Sequence, residues 1–225
     1  MFDNETKAQL AQYLELLENP VVFNASLGED ENSLKVREFL TTVAAMSPKI
    51  TVTEEQLQRT PSFEINSLQE KSGVVFAGLP MGHEFTSFIL ALLQVGGRPP
   101  KVSEEIVHRI QKINGPLHFE TFVSLTCHNC PDVVQALNIM AVLNPAISHT
   151  MIEGGAFQEE VTASKIMAVP TVFLNGEEFS SGRATIEELL EKAAGPQAAD
   201  SFADKEPYDV LVVGGGPAGA SAAIY

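Results

Sequence analysis

Residues 124–132 read Ser-Leu-Thr-Cys-His-Asn-Cys-Pro-Asp, and they contain both cysteines of this 225-residue chain. A β-rich run precedes the pair, and an apolar run with helical spacing follows it. The pattern predicts a turn between a strand and a helix, with Cys127 beside unpaired backbone N–H groups and the positive end of the helix dipole. That position favours the thiolate, which is the reactive form of a cysteine. Cys130 lies three residues later, within reach of Cys127 to form a disulfide.

A Cys-x-x-Cys pair in this context is typical of thioredoxin-like dithiols. We expect Cys127 to attack a disulfide of a partner, and Cys130 then to attack Cys127 and release the reduced partner. Zinc binding is the main alternative, but zinc ordinarily needs four ligands, and the five histidines contain no His-x₃₋₅-His pair. His128, between the cysteines, either stabilises a neighbouring thiolate when charged or is an exposed spacer.

The chain contains two segments with the same order of predicted elements, which favours an α/β fold made of two tandem thioredoxin-like folds. We place the first, which has no cysteine, at residues 1–98 and the second, with the cysteine pair, at residues 99–194. The Thr60-Pro61 step of the first segment corresponds to Val169-Pro170 of the second. The Asn175-Gly176 dipeptide predicts a tight hairpin near the end of the second segment.

Pro170 is the second candidate site residue, because a cis proline faces the cysteine pair in thioredoxin-like folds. There it would present main-chain groups of Val169 to an extended substrate. A single X-Pro bond is usually trans, so the expectation of a cis bond depends on the fold. The alternative is an ordinary proline in an edge strand.

Glu84, in the run Gly82-His83-Glu84-Phe85-Thr86-Ser87, is the third candidate. Disulfide exchange needs a group that moves protons to and from the sulfurs, and a partly buried carboxylate can do so. If the two segments pack face to face, Glu84 could be supplied across their interface. The sequence alone favours the alternative, a first-turn glutamate on the solvated face of a helix.

Composition and charge restrict the possible partners. The chain has 29 acidic and 14 basic residues, a net charge of −15, and 44% hydrophobic residues. We therefore expect a packed core, and no binding to nucleic acid or to an anionic membrane. The polar, acidic start of the chain predicts neither secretion nor membrane insertion, so we expect a cytoplasmic protein. In a reducing compartment, a close cysteine pair is usually catalytic or metal-binding.

The last 31 residues have a different character from the rest. Residues 195–207 are polar and alanine-rich, as in a linker. Residues 208–225 read as a buried strand followed by Gly214, Gly216 and Gly219 at the start of a helix. This pattern predicts a truncated first βα unit of a Rossmann-type FAD domain, whose acidic ribose-binding residue would lie beyond Tyr225.

The combination resembles the family of the alkyl hydroperoxide reductase flavoprotein, the F subunit of that enzyme. The resemblance is carried by residues 82–87, residues 124–137 and residues 210–225. It implies a flavoenzyme that takes electrons from NADH to FAD, then to a dithiol in the reductase core, then to the Cys127–Cys130 pair. The final acceptor would be the disulfide of the peroxiredoxin partner, the other component of alkyl hydroperoxide reductase, and the full-length protein would be a homodimer.

The resemblance also assigns roles to individual residues. Cys127 would be the attacking thiol and Cys130 the resolving thiol, and Glu84 matches an acidic position linked to that dithiol. The three glycines, Gly214, Gly216 and Gly219, match the loop that binds the FAD pyrophosphate. The rest of the reductase is missing, so we do not expect this chain to oxidise NADH by itself. Two alternatives stay open: a free-standing tandem protein disulfide oxidoreductase, and a non-enzymatic docking module.

Overall fold

The computed structural model describes residues 2–194. The predicted linker, and the predicted FAD-binding glycines Gly214, Gly216 and Gly219, lie outside the described residues. The elements of residues 2–98 are α1 Asn4–Leu14, β1 Val21–Ser26, α2 Glu31–Ala45, β2 Ile50–Glu54, β3 Ser62–Ser67, β4 Val74–Ala77, a 3-10 turn Gly82–Glu84, and α3 Phe85–Val95. Those of residues 99–194 are α4 Glu104–Gln111, β5 Leu117–Val123, α5 Cys130–Leu143, β6 Ile147–Glu153, α6 Gln158–Ala163, β7 Thr171–Leu174, β8 Glu177–Ser181 and α7 Ile186–Ala194.

All eight of these strands form one sheet, in the order β2-β1-β3-β4-β6-β5-β7-β8. In the first half, β1 pairs parallel with β2 and antiparallel with β3, and β3 pairs antiparallel with β4. The second half repeats this scheme with β5, β6, β7 and β8. The tandem arrangement expected from the repeated order of elements is therefore confirmed.

The two halves meet edge to edge, not face to face. Strand β4 pairs parallel with β6, from Val74 opposite His149 to Ala77 opposite Ile152. An edge strand carries a row of unpaired backbone N–H and C=O groups, and here each half satisfies the open edge of the other. Helix α3 also packs against α5. Because β4, β5 and β6 are parallel, their carboxyl ends lie at the same end of the sheet.

One apolar core runs through both halves on one face of the sheet. In the first half it is rich in phenylalanine, with Phe39 and Phe88 in edge-to-face contact at 4.9 Å between ring centroids. In the second half it includes the buried side chain of Cys130 and the apolar face of α5. A smaller cluster of Ala77, Phe122 and Ile152 spans β4, β5 and β6, with α6 residue Val161 packed against it.

Turn chemistry fixes several boundaries. Asn175 and Gly176 have φ values of 51° and 88°, so the predicted hairpin between β7 and β8 is confirmed. Helix α5 begins at Cys130, with Pro131 in the first turn, where its missing N–H costs nothing. Within the described part of the chain, no helix is long and apolar enough to cross a membrane.

Candidate active site

The cysteine turn connects β5, which ends at Val123, to α5, which begins at Cys130. Cys127 and Cys130 form a disulfide. Their exposures differ, because Cys130, the first residue of α5, is fully buried in the core whereas Cys127 is only partly buried. An incoming disulfide therefore reaches the sulfur of Cys127 first, and Cys130 is placed to react with Cys127 from the protein side.

The segment before β7 lies against this disulfide. The Val169–Pro170 peptide bond is cis, as the fold context predicted. The Sγ atom of Cys127 lies 3.7 Å from the carbonyl oxygen of Val169. In the first half, the corresponding Thr60–Pro61 peptide bond is also cis. The segment of Pro170 therefore differs from an ordinary edge-strand proline segment, because it contacts Cys127 Sγ.

Glu84 lies in the 3-10 turn of the first half, which packs against α5 of the second half. Its side chain is fully buried, so the alternative of a glutamate on a solvated helix face is wrong. The sequence favoured that alternative because a first-turn glutamate is usually solvated, and it gives no local sign that α5 of the other half covers this turn. Burial raises the pKa of Glu84 to about 7, and Ser87 opposes this rise only partly. A carboxyl group with that pKa is present in both protonation states near neutral pH, as a proton carrier for thiol chemistry requires.

Ser87, three residues after Glu84, is hydrogen-bonded to α5. Ser87 Oγ accepts a hydrogen bond of 3.3 Å from Nε2 of Gln135. Ser87 is fully buried, and it is the side chain whose hydrogen bonding lowers the pKa of Glu84. Neither carboxylate oxygen of Glu84 has a hydrogen-bond partner of normal geometry. Burial with so little hydrogen-bond compensation disfavours the charged carboxylate, which is why the pKa of Glu84 is raised.

The backbone also ties the first half to the cysteine turn. The N–H of His83 donates a 3.0 Å hydrogen bond to the carbonyl oxygen of Leu125. Gly82 has a φ of +58°, and a Cβ atom there would collide with the same carbonyl oxygen. Glycine is therefore required both by the left-handed backbone and by the close approach of the two backbone segments.

Two histidines meet across the same junction. Nε2 of His83 lies 3.0 Å from Nδ1 of His128, and the two rings are nearly perpendicular, with centroids 4.1 Å apart. His128 was singled out from the sequence because it lies between the cysteines, and the structure places it at the surface beside Cys127. His83 was missed, and its only signal was its position beside Glu84.

One apolar side chain in the stretch that leads to the Val169–Pro170 segment is strongly exposed. Met167, three residues before Pro170, is 94% exposed.

Asp132, in the first turn of α5, forms a 2.7 Å ion pair with Arg183 in the turn after β8. Within residues 2–194, no group of three or more histidine, cysteine or acidic side chains is arranged to hold a metal ion.

Comparison with known proteins agrees with the fold. A family model described as a thioredoxin domain matches residues 117–194, the part of the chain that contains the cysteine pair. The whole chain is 59% identical to a protein of Bacillus subtilis (strain 168) named NADH dehydrogenase. It is 56% identical to the F subunit of alkyl hydroperoxide reductase from Staphylococcus epidermidis (strain ATCC 12228). The chain spans 44% of the length of each of these two relatives.

A solved structure matches with lower sequence identity but over nearly the whole described part of the chain. The NTD_N/C domain of alkylhydroperoxide reductase AhpF from Enterococcus faecalis (V583) superposes with a TM-score of 0.80 at 30% sequence identity. The match covers 86% of this chain and 100% of that domain. The similarity therefore includes both thioredoxin-like halves and the junction between them.

Proposed function

The chain belongs to the AhpF family, the F subunits of alkyl hydroperoxide reductase, and on that premise we propose that it relays electrons by thiol–disulfide exchange to the peroxiredoxin component of that enzyme. The observation that carries the proposal is the asymmetry of the Cys127–Cys130 disulfide. One sulfur is accessible and faces the Val169–Pro170 segment, and the other is buried behind it. An accessible attacking thiol with a shielded resolving thiol is what stepwise exchange requires.

The steps follow from this geometry. In the reduced chain, the Cys127 thiolate attacks the partner disulfide, a mixed disulfide forms, and one partner sulfur leaves as a thiolate that takes up a proton. Cys130 then loses its proton and attacks Cys127. The Cys127–Cys130 disulfide re-forms, and the second partner sulfur leaves and is protonated. Two electrons have then passed from the chain to the partner, and the two partner thiolates have taken up one proton that came from Cys130 and one from solvent.

Glu84 is the proposed proton carrier for the second step. Cys130 is buried, so its proton needs an acceptor inside the protein, and Glu84 is the buried acid that the first half contributes at the junction with α5. A group with a pKa of about 7 accepts a proton from a thiol and returns it at neutral pH with little free-energy cost. His128 is the proposed stabiliser of the Cys127 thiolate, and Pro170 the residue that orients Val169 toward an incoming segment.

The remaining assignments belong to the same proposal. FAD and NADH would supply the electrons in the full-length protein, and the glycines assigned to FAD lie outside the described residues. The boundaries proposed for the parts are 1–98, 99–194, a linker at 195–207, and the start of the FAD domain at 208–225. The full-length protein is proposed to be a cytoplasmic homodimer, and the net charge of −15 supports a protein partner over nucleic acid or membrane.

The test uses the chain reduced chemically, freed of reductant, and mixed with oxidised peroxiredoxin. The wild-type chain should release the peroxiredoxin thiols, measured by a colorimetric thiol assay after separation of the proteins. Cys127→Ser should abolish the transfer. Cys130→Ser should form one covalent adduct with the peroxiredoxin, visible on a non-reducing gel, because the resolving thiol is missing. His108→Ala, an exposed histidine on α4, is the control.

Two outcomes would overturn the proposal. The first is full transfer by Cys127→Ser. The second is equal turnover of insulin and peroxiredoxin, which would favour the free-standing disulfide oxidoreductase. If both cysteines showed the reactivity of ordinary thiols, the docking module would be favoured instead.

A further inference from the structure

The hydrogen bond between His83 and His128 joins the cysteine-free half to the cysteine turn. His128 directly follows Cys127 in the chain, and His83 directly precedes Glu84. The contact is a close one, 3.0 Å between Nε2 of His83 and Nδ1 of His128, although both rings are exposed at the surface. The adjacent hydrogen bond from the His83 N–H to Leu125 O holds the His83 backbone in place.

A hydrogen bond between two imidazole rings has a defined chemistry. One ring must donate an N–H, and the other must accept with a nitrogen lone pair. When the pair carries a single positive charge, the bond becomes charge-assisted and therefore stronger and shorter. In the tautomer in which His128 Nδ1 donates to His83 Nε2, this bond fixes the direction in which the His128 ring points.

On the basis of the dithiol function proposed above, we propose that His83 is a positioning residue that holds His128 beside Cys127 and thereby increases the thiolate fraction of Cys127. A fixed positive charge near a sulfur favours the thiolate over the thiol. The first half, which has no cysteine, thus completes the redox site with His83 at the surface and Glu84 in the interior.

Other ionisable groups surround the pair and bear on any pH profile. They are Glu84 in the same turn, the two cysteines, and Asp132 in the first turn of α5, which is paired with Arg183. Lys165 lies four residues before Val169, in the stretch that leads to the segment facing Cys127. Variants of His83 and His128 leave all of these unchanged.

The experiment measures the rate at which iodoacetamide alkylates Cys127 in the full chain, in a Cys130→Ser background so that a single thiol reacts. The alkylation assay contains no peroxiredoxin. Its outcome is therefore independent of whether the chain transfers electrons to peroxiredoxin, and the two proposals can fail separately. The rate is measured across pH for His83→Ala, His128→Ala, the double variant and His83→Gln. His108→Ala again serves as the control.

At neutral pH, His83→Ala should slow alkylation roughly threefold, and the whole pH profile should shift to higher pH. His128→Ala should slow it by at least as much. The double variant should be no slower than His128→Ala, because His83 acts only through His128. His83→Gln should recover part of the rate, since its amide oxygen accepts a hydrogen bond from His128 Nδ1.

Three results would overturn the proposal. They are an unchanged rate in His83→Ala at every pH, a double variant whose loss is the product of the two single losses, and a His83→Gln rate no higher than that of His83→Ala. Both histidines are exposed, so their truncation should not unfold the chain, and an unchanged far-ultraviolet circular dichroism spectrum checks this for each variant.

Discussion

Arg59, in the loop before β3, forms an ion pair of 2.7 Å with Glu120 in β5, so a cation of the first half neutralises a carboxylate of the second. Nε of Arg59 also donates a hydrogen bond of 2.9 Å to Glu160 in α6. Burial alone would lower the pKa of Arg59, but its hydrogen bonds and charge pairs with these two carboxylates raise it above its usual value. The pairing of β4 with β6 and the clamp that Arg59 forms with Glu120 and Glu160 both hold the halves together. The candidate site contains residues of both halves, so its geometry depends on that junction.

Replacement of Arg59 by methionine should destabilise the chain strongly. The side chain of Arg59 is 10% exposed and that of Glu120 16%, so the substitution leaves a nearly buried carboxylate without its cation. Loss of one partner of such a pair costs about 3–5 kcal/mol. The free energy of unfolding, measured by urea denaturation, should fall by that amount.

Arg37→Met is the matched control for this substitution. Arg37 pairs with Glu54 at 2.9 Å, but the side chains are 40% and 74% exposed. An exposed pair of this kind contributes about 0–1 kcal/mol. Similar losses for the two variants would show that Arg59 does not act as a buried clamp.

His149, in β6, should make the chain sensitive to acid. The ring is fully buried, with Nδ1 2.7 Å from Asn138 Oδ1 and Nε2 2.8 Å from Thr121 Oγ1. Burial, helped by the charge of His118, lowers the pKa of His149 to about 3. The unfolded chain takes up this proton below about pH 6.5, while the folded chain resists it until about pH 3. The free energy of unfolding therefore falls as pH decreases through this window.

The measurement compares the wild-type chain with His149→Gln between pH 6 and pH 4. The wild-type free energy of unfolding should fall more steeply as pH decreases. The unfolded chain binds up to one proton more than the folded chain at His149, which corresponds to a slope of about 1.4 kcal/mol per pH unit. The glutamine variant should be less stable at pH 7, because it cannot reproduce both ring hydrogen bonds. His108→Gln should keep the wild-type slope. Identical slopes in the wild-type chain and His149→Gln would mean that His149 is not the group responsible.

Local features could be predicted from the sequence because they depend on nearby residues. The cysteine turn follows from an apolar strand run, two spaced cysteines and an apolar helix run. The hairpin at Asn175-Gly176 follows from the tolerance of those two residues for positive φ. The tandem arrangement could be predicted for a related reason, because the order of predicted elements repeats between the two segments even where the residue types differ.

The junction between the halves could not be predicted in this way. Pairing of β4 with β6 uses backbone groups that every strand carries, so no side-chain pattern marks it. The burial of Glu84 depends on α5, which lies nearly fifty residues later in the chain, and a first-turn glutamate normally faces water. His83 was missed for the same reason: apart from its position beside Glu84, nothing in the sequence marks it, because its partner His128 is close only after the halves join.

Glu84→Gln should slow thiol–disulfide exchange while leaving the chain folded. Glutamine keeps the size of the side chain but cannot carry the proton of Cys130, so the second exchange step loses its internal base. The rate of transfer to peroxiredoxin should fall by roughly tenfold or more. The wild-type rate should also change with pH near 7, where Glu84 titrates, and the variant should lose that inflection.

A stability measurement separates this catalytic effect from damage to the fold. Folding raises the pKa of Glu84 from an ordinary value near 4.5 to about 7, so the folded chain keeps a proton that the unfolded chain has lost. The wild-type free energy of unfolding therefore decreases as pH rises through this window, by up to about 3 kcal/mol. Glu84→Gln should lack this decrease. A variant with the wild-type pH dependence of both rate and stability would contradict the assignment.

Met167→Lys should weaken binding of the disulfide partner without a change in the chemical step. Exchange requires a covalent bond between the partner and Cys127 Sγ, so the segment before Pro170 must lie against the partner. Met167 presents an apolar side chain there that is 94% exposed, and a lysine would have to lose its hydration in the complex. In single-turnover transfer, we expect the peroxiredoxin concentration that gives half the maximal rate to rise about three- to tenfold with the maximal rate unchanged, and Met167→Leu to restore it. Leu68→Lys is the matched control, because Leu68 is 66% exposed and follows β3 at the opposite end of the sheet. Equal effects of the two lysine substitutions would show a response to net charge and not to contact at Met167.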